Sequence, residues 1–383
     1  MMTPAALASG EAGFSRCIAG LAPLAQQRGI SMRTWQAYAA PLQPDMTILA
    51  KLESQPEFTR TTGDYVEMLV ADTRIARGRE ALAQNRAVFD AVERRYGVDR
   101  YVIAAIWGIE TNYGNARGSY SVLRSTATLA CIGRRQDYFR DEFIATMQIL
   151  ERGDIPAEHL KGSWAGAFGL TQFMPTTFLR DAVDFDGDGH PNVVDSVGDA
   201  MASTAAKLKR GGWKAGQSWG YEVRIPARFD YLLTDKSIRK PLAEWASLGI
   251  RRAGGQSFPR GGSELAYLLL PAGANGPAFL MTDNFKAILG YNPADAYALA
   301  IGHLADRLRG GDSFVQDWPD QRPLSRAERI ELQQRLAARG YDVGTPDGVL
   351  GQKTRVAVRD FQVRSGLVPD GMPSDQVLQQ MRQ

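Results

Sequence analysis

Within residues 101–115, YVIAAIWGIETNYGN, a carboxylate occupies a place where a helix should be most apolar. Read at helical spacing, Ile103, Ile106 and Trp107 lie seven, four and three residues before Glu110 and share a face with it. No Lys or Arg stands one turn away on that face. A carboxyl group taken out of water without a cation resists ionisation, so a raised pKa is expected, which is what a general acid near neutral pH requires. The competing structural reading is a pairing of Glu110 with a cation distant in sequence, or a solvated helix end.

Residues 162–178, GSWAGAFGLTQFMPTTF, combine small residues with Ser163, Thr171 and Gln172 and with the rings of Trp164, Phe168 and Phe173. Small residues let backbone approach a ligand, and polar groups interleaved with aromatics suit sugar rings, which have polar edges and apolar faces. The same pattern also serves close packing between elements. Residues 184–195, DFDGDGHPNVVD, fit the calcium-loop template at Asp184, Asp186, Asp188 and Gly189, with His190 at position seven offering its carbonyl. Position twelve is Asp195 rather than Glu, and its shorter reach predicts modest affinity, with Asp199 close enough in sequence to assist.

Other chemistries lack parts. The three histidines, His159, His190 and His303, have no helical metal spacing, and the sequence holds no CxxC, Walker loop or dinucleotide fingerprint. A net charge of +3 with a pI near 8.8 is too weak to point to nucleic acid. Hydrophobic content of 44% and charged content of 23% fit a water-soluble globular chain, and the longest apolar runs are too short to span a bilayer. The start, MMTPAALASGEAGF, has no basic region followed by an apolar one, so no signal peptide is expected in this sequence, which leaves a cytosolic protein or a trimmed exported one. Cys17 and Cys131 suit either one disulfide in an oxidising compartment or two buried thiols.

The elements that must position these groups are mainly helical. After a tail at 1–13, a helical domain is expected over 14–90, with residues 61–98 reading as two amphipathic helices that lead into the Glu110 helix. A core follows over 91–220, with helical patterns around DYFRDEFIATMQILERG and SVGDAMASTAAKLKRGGW. Residues 221–281 change character, with the alternating YEVRIP and the short runs AYLLLP and AFLM among dense Gly and Pro, and predict a small β-containing insert. Residues 282–310 return to the helical core, and the polar, proline-bearing 311–323 reads as a linker. In 324–383 two helix-turn units, each with Pro-Asp-Gly, form a pseudo-repeat whose core is expected from Leu332, Leu336, Val358, Phe361, Leu367 and Leu378.

Taken in order, AIWGIETNYG, GSWAGAFGLTQFMPTTF, the Asp loop and ILGYNPADAYALAI resemble the lytic murein transglycosylase B family over roughly 14–310. The terminal unit is similar to a widespread peptidoglycan-binding domain, with Leu350 in place of the usual aromatic before Gly351. The resemblance implies a mainly α fold: a lysozyme-like helical core, an additional helical domain, a small β insert and a C-terminal three-helix peptidoglycan-binding domain. It implies glycan strands of peptidoglycan as the partner, no nucleic acid, and cleavage between N-acetylmuramic acid and N-acetylglucosamine to leave a 1,6-anhydro end. Glu110 falls on the family's catalytic acid. Ser163, Gln172, Phe173, Tyr291, Asn292 and Tyr297 fall on its glycan-binding positions, and Lys207 stands where a cleft tyrosine is frequent. Asp184, Asp186, Asp188, His190, Asp195 and Asp199 are the expected ligands of a structural calcium, with no cofactor for the chemistry.

Ordinary glycosidases use two carboxylates, yet the residues after Glu110 (Thr111, Asn112, Tyr113) are not acidic. A single glutamate suffices if it protonates the bridging oxygen and its anion then deprotonates the sugar's C6 hydroxyl, whose attack on C1 is intramolecular. A hydrolase on the same core and a non-catalytic cell-wall scaffold are the alternatives. The substrate implies the periplasm, where a Cys17–Cys131 disulfide is expected.

Overall fold

The computed structural model describes residues 4–53 and 60–383. Its helices are α1 (Pro4–Gln27), α2 (Met32–Thr34), α3 (Thr62–Leu69), α4 (Asp72–Gln84), α5 (Arg86–Tyr96), α6 (Arg100–Thr111), α7 (Val122–Cys131) and α8 (Gln136–Arg152). They continue with α9 (Pro175–Asp181), α10 (Val197–Arg210), α11 (Leu242–Ser247), α12 (Asp283–Leu289), α13 (Asp295–Arg309), α14 (Arg326–Ala338), α15 (Gln352–Arg364) and α16 (Asp375–Arg382). The chain divides into two compact units: Met1–Gln55 with Asp72–Arg210, and Pro56–Ala71 with Gly211–Gln383.

In the first unit α7 packs on α8, and Phe139, Phe143 and Met147 of α8 pack against Phe14, Ile18 and Trp35. The helix α1 begins at Pro4, inside the stretch expected as a tail. Cys17 on α1 and Cys131 at the end of α7 are joined by a disulfide across 114 residues of sequence. Residues 61–98 hold three helices rather than two. Thr61 caps α3 by accepting the Asp64 N–H, and Val70 leaves helical geometry. Asn85 breaks α4 from α5, its side chain bonding the Ala81 carbonyl 2.9 Å away in competition with the next turn. The first of the three, α3, belongs to the second unit, where it packs on α13.

The second unit is built on a five-stranded antiparallel sheet in the order β4-β6-β7-β3-β5, with β3 at Gly220–Arg224, β4 at Lys240–Pro241, β5 at Arg251–Arg252, β6 at Leu265–Leu269 and β7 at Ala278–Met281. Tyr120–Ser121 (β1) and Lys161–Gly162 (β2) pair separately in the first unit. The insert core gathers Tyr221, Val223, Trp245, Leu268 and Leu280. Residues 311–323 are not a free linker. Phe314 stacks on the buried His303 ring at 3.8 Å, and Glu222 receives the backbone N–H groups of Val315 and Gln316 at 2.8 Å. The polar composition of the segment hid two aromatic anchors, Phe314 and Trp318.

The three terminal helices enclose Leu332, Leu336, Val358, Phe361 and Leu378, with Leu367 packed at the edge. The pseudo-repeat has a common device: the side-chain carbonyl of buried Gln333 accepts the Gly348 N–H, and that of Gln362 accepts the Gly371 N–H, each at 2.8 Å. Each Pro-Asp-Gly turn is thereby tied to the helix before it.

Bridging two helices so far apart in sequence removes conformations from the unfolded chain. In the unreduced folded protein neither cysteine should react with an alkylating probe. Cys131→Ser should cost roughly 2–4 kcal/mol of stability in the first unit by denaturant titration; a full-strength alkylation signal without reductant would contradict the bond.

Candidate active site

Helix α6 starts on Asp99, whose carboxylate accepts the Tyr101 N–H at 2.8 Å, and Val102 to Gly108 are buried. Its last turn presents Glu110, half-buried. The helix stops because Asn112 and Tyr113 adopt left-handed φ values of 49° and 57°. Tyr113 folds back on the helix edge-on to Trp107, with ring centres 5.7 Å apart. Gly108 permits this, since a Cβ there would fall 2.5 Å from the Tyr113 hydroxyl.

Thr111, fully buried, donates its hydroxyl to the Leu170 carbonyl at 2.6 Å and accepts the Gly114 N–H at 3.0 Å. This clasps the helix end to the 162–174 loop. Within that loop Phe168 and Phe173 exchange both backbone hydrogen bonds, and Ser163 accepts the Ala167 N–H on its hydroxyl at 3.1 Å. Gln172, at φ 51°, donates to the carbonyls of Arg117 and Gly169 at 3.2 and 3.0 Å. Gly169 also has positive φ, and any Cβ would collide with the Val193 carbonyl.

Two expectations need correction. Phe173 does not offer a flat face to solvent: it is 0% exposed and supports the loop from beneath. Nor does Glu110 lack a cation, because Lys207, on α10, feels its charge. The Lys207 ammonium lies 5.5 Å from the centre of the Phe173 ring. Burial is the main effect on Lys207 and lowers its pKa to about 8; the carboxylates of Asp181 and Glu110 act in the opposite sense, while Arg180 and Arg210 reinforce the fall. Asp181, buried at the end of α9, is itself held by Arg180 at 3.2 Å and by a close ion pair with Arg210.

The sequence reading missed Asp181 and a second buried carboxylate, Glu142. Glu142 accepts the backbone N–H and the hydroxyl of Thr176 at 2.9 and 2.7 Å, anchoring the first turn of α9 behind Pro175. Burial pushes its pKa up. Its position on the face of α8 that carries Phe139 was a signal of the same kind as Glu110's.

In the acidic loop, carboxylate oxygens of Asp184, Asp186 and Asp188 come within 4.8 Å of one another, and among the described residues no Lys or Arg pairs with them. Such a group of oxygens fits a hard divalent cation. Asp199 is instead fully buried and accepts the backbone N–H groups of Phe185 and Asn192 at 2.8 and 2.7 Å, bracing the loop from inside. Asp195 bonds His159 at 2.8 Å, and the His190 ring faces Asp154 at 3.5 Å. The structure thus brings Asp184, Asp186 and Asp188 together and gives Asp195 and Asp199 other partners, while the ring contact of His190 is separate from the carbonyl expected as its ligand. In the second unit, Tyr291 and Asn292 sit in the turn between α12 and α13, where Asn292 accepts the Ala294 N–H at 3.1 Å, and Tyr297 is buried in α13.

Comparison with known proteins decides the family. The transglycosylase SLT domain matches residues 13–306. The chain belongs to the SLT transglycosylase family. A putative peptidoglycan-binding domain matches 325–381. The membrane-bound lytic murein transglycosylase B of Escherichia coli K12 is 35% identical over 237 residues, 59% of this chain; the match spans 63% of that relative's length. Among solved structures, SltB3 of Pseudomonas aeruginosa, in complex with NAG-anhNAM-pentapeptide, has a TM-score of 0.93 at 47% identity and covers 97% of this chain and 100% of its own. Escherichia coli Slt35, in complex with calcium, gives 0.65 at 25% identity, covering 78% of this chain and 93% of its own. The fold is accordingly the SLT fold with a C-terminal binding domain, as the motifs predicted.

The Lys207 environment makes a signed prediction for this SLT chain. A pKa lowered from 10.5 to about 8 means that below pH 8 the folded state bears a penalty of roughly 3 kcal/mol for holding the proton. Between pH 8 and 10.5 the unfolded chain binds the extra proton, so stability from this group rises with pH. Lys207→Met should therefore stabilise the protein at pH 7, with an advantage that fades by pH 10. Paired thermal melts at the two pH values test this, and an advantage that does not change with pH would refute it.

Proposed function

We propose that the chain is a lytic transglycosylase that cleaves the β-1,4 bond between N-acetylmuramic acid and N-acetylglucosamine in peptidoglycan, leaving 1,6-anhydro ends. The observation that carries this reading is the setting of Glu110: it lies half-buried in the last turn of α6, within the field of the Lys207 ammonium.

In the proposed reaction Glu110 donates its proton to the bridging oxygen as the C1–O bond breaks. The carboxylate that results sits in the field of the Lys207 ammonium, which stabilises it while it waits to accept the C6 hydroxyl proton. The C6 oxygen then closes on C1 of the same sugar, a step favoured over water because both atoms belong to one ring system. Proton and charge balance without any group from outside. In the first unit Ser163 and Gln172, fixed by their hydrogen bonds, serve as binding groups for the glycan, and Phe173 contributes through the loop it supports; in the second unit Tyr291 and Asn292 are assigned the same role, with the buried Tyr297 supporting them.

The relatives' names support peptidoglycan as the substrate class, and the terminal domain supports attachment to the same polymer. A disulfide supports an oxidising compartment, and we assign the periplasm. No helix among the described residues is long and apolar enough to cross a membrane. Asp184, Asp186 and Asp188 would hold a calcium ion that relieves their mutual repulsion and stiffens the loop, with no part in bond cleavage.

Two measurements bear on these assignments. Digests of purified sacculi, read by mass spectrometry, should give anhydro-ended fragments, and Glu110→Gln should lower their yield at least about a hundredfold; products heavier by one water would make the enzyme a hydrolase. Calcium should raise the thermal midpoint, with about 2.7 kcal/mol of stabilisation at a hundredfold excess over Kd, and Asp184→Asn should remove that gain. A midpoint indifferent to calcium in the parent protein would remove the ion from the account.

A further inference from the structure

Three segments of the first unit meet at Arg117, just beyond the turn that ends α6. Its Nε donates to the Gly114 carbonyl at 3.0 Å, and its Nη1 donates to the Val194 carbonyl, near the end of the acidic loop, at 2.9 Å. Its own carbonyl accepts a side-chain N–H of Gln172 at 3.2 Å. The backbone on either side is wedged in place. The Ala116 N–H bonds the Thr111 carbonyl at 2.8 Å, and a Cβ on Gly118, at φ 85°, would fall 2.2 Å from the Gly162 carbonyl oxygen. Arg117 is exposed, yet among the described residues it pairs with no carboxylate and gives its guanidinium to main-chain carbonyls instead. A long side chain held in this way loses rotamer freedom, so the bonds must offset that cost.

The third of these segments carries Gln172, whose φ of 51° is a left-handed conformation that a residue with a side chain keeps only where its surroundings dictate it. The amide nitrogen of Gln172 donates to two carbonyls, those of Arg117 and Gly169, at 3.2 and 3.0 Å. A carbonyl only accepts, so this pair decides which way the amide is turned. The NH2 group faces the protein, and the side-chain oxygen is left as an acceptor. With the Gly169 carbonyl alone, one N–H would lose its partner and the amide would be less firmly oriented.

We propose that Arg117 is a positioning residue for glycan binding: by bridging the Gly114 and Val194 carbonyls it sets its own carbonyl where it orients the Gln172 amide, so that Gln172 presents an acceptor to an N–H or O–H of the sugar. The assignment rests on Gln172 being a glycan-binding group, as proposed above. Arg117 then acts on affinity without touching the substrate. The acetamido N–H and the hydroxyls of the glycan are the donors that an amide oxygen recognises.

The test is a double-mutant cycle in the full chain carrying Glu110→Gln, so that the glycan is not consumed. It compares the parent, Arg117→Ala, Gln172→Ala and the pair, with Arg117→Lys as the conservative variant, each shown to be folded by its thermal melt. The probe is a tetrasaccharide of alternating N-acetylglucosamine and N-acetylmuramic acid, titrated by calorimetry. Gln172→Ala should weaken binding about tenfold and Arg117→Ala about fivefold. Once residue 172 is Ala, Arg117→Ala should add nothing, because a residue that acts through another loses its effect with it. Arg117→Lys, which still reaches one of the two carbonyls, should recover part of the loss. An Arg117→Ala effect that persists undiminished in the Gln172→Ala background would overturn the proposal. So would an affinity indifferent to either single substitution, or a parent that does not bind the tetrasaccharide. Strand cleavage by the Glu110 protein is assayed separately. Binding that depends on Arg117 without cleavage would remove the enzymatic reading and keep the positioning role, and cleavage with binding indifferent to Arg117 would do the reverse.

Discussion

The Thr111 hydroxyl, fully buried, joins the last turn of α6 to the carbonyl of Leu170, and the geometry around Glu110 depends on that bond. A helix end left to itself exposes unsatisfied carbonyls and frays. Here the chain turns through two left-handed residues, and Tyr113 is folded over Gly108. The Gly114 N–H closes on the same Thr111 oxygen. Glu110 is thereby held one residue from a fixed point. The loop that carries Ser163 and Gln172 is held at that point too, so the proposed acid and the proposed binding groups share one reference.

Charge is organised around the same point. Lys207 is an expensive cation, half-buried over an aromatic ring, and its persistence needs anions nearby. Asp181 and Glu110 supply them, Asp181 the more strongly although it also pairs with Arg180 and Arg210. A group that donates and then regains a proton gains from a neighbour whose charge is constant through the cycle, and at neutral pH a lysine with a pKa near 8 remains mostly protonated. Glu142 works at one remove, fixing the start of α9 and so the place of Asp181 at its end.

Much of this was legible in the residues. The apolar face of α6, the strands of the insert and the core of the terminal domain follow from periods of 3.6 and 2, which local burial imposes on sequence. What was not legible depends on contacts between distant segments. Lys207 lies 97 positions after Glu110, so a search along one helix found no cation. The Phe173 ring reads as a platform in a string of small residues, and only its complete burial shows that it points inward. Residues 311–323 read as a linker because proline and acid outnumber the two aromatics that fasten them. The helix α3 has the pattern of its neighbours and belongs to the other unit, since periodicity shows that a face is buried and not against what.

The acidic loop shows how a feature remote from the chemistry bears on it. Asp199 belongs to the first turn of α10 and grips the backbone at Phe185 and Asn192, so the loop and the helix are one rigid piece. Lys207 lies eight residues further along the same helix, about 12 Å at the helical rise. Repulsion among Asp184, Asp186 and Asp188 works against the loop's curvature, while the Asp199 bonds and the N–H groups of Gly187 and Gly189 on Asp184 work for it. Asp199, gripping the loop from the first turn of α10, therefore ties the loop's curvature to the helix that carries Lys207.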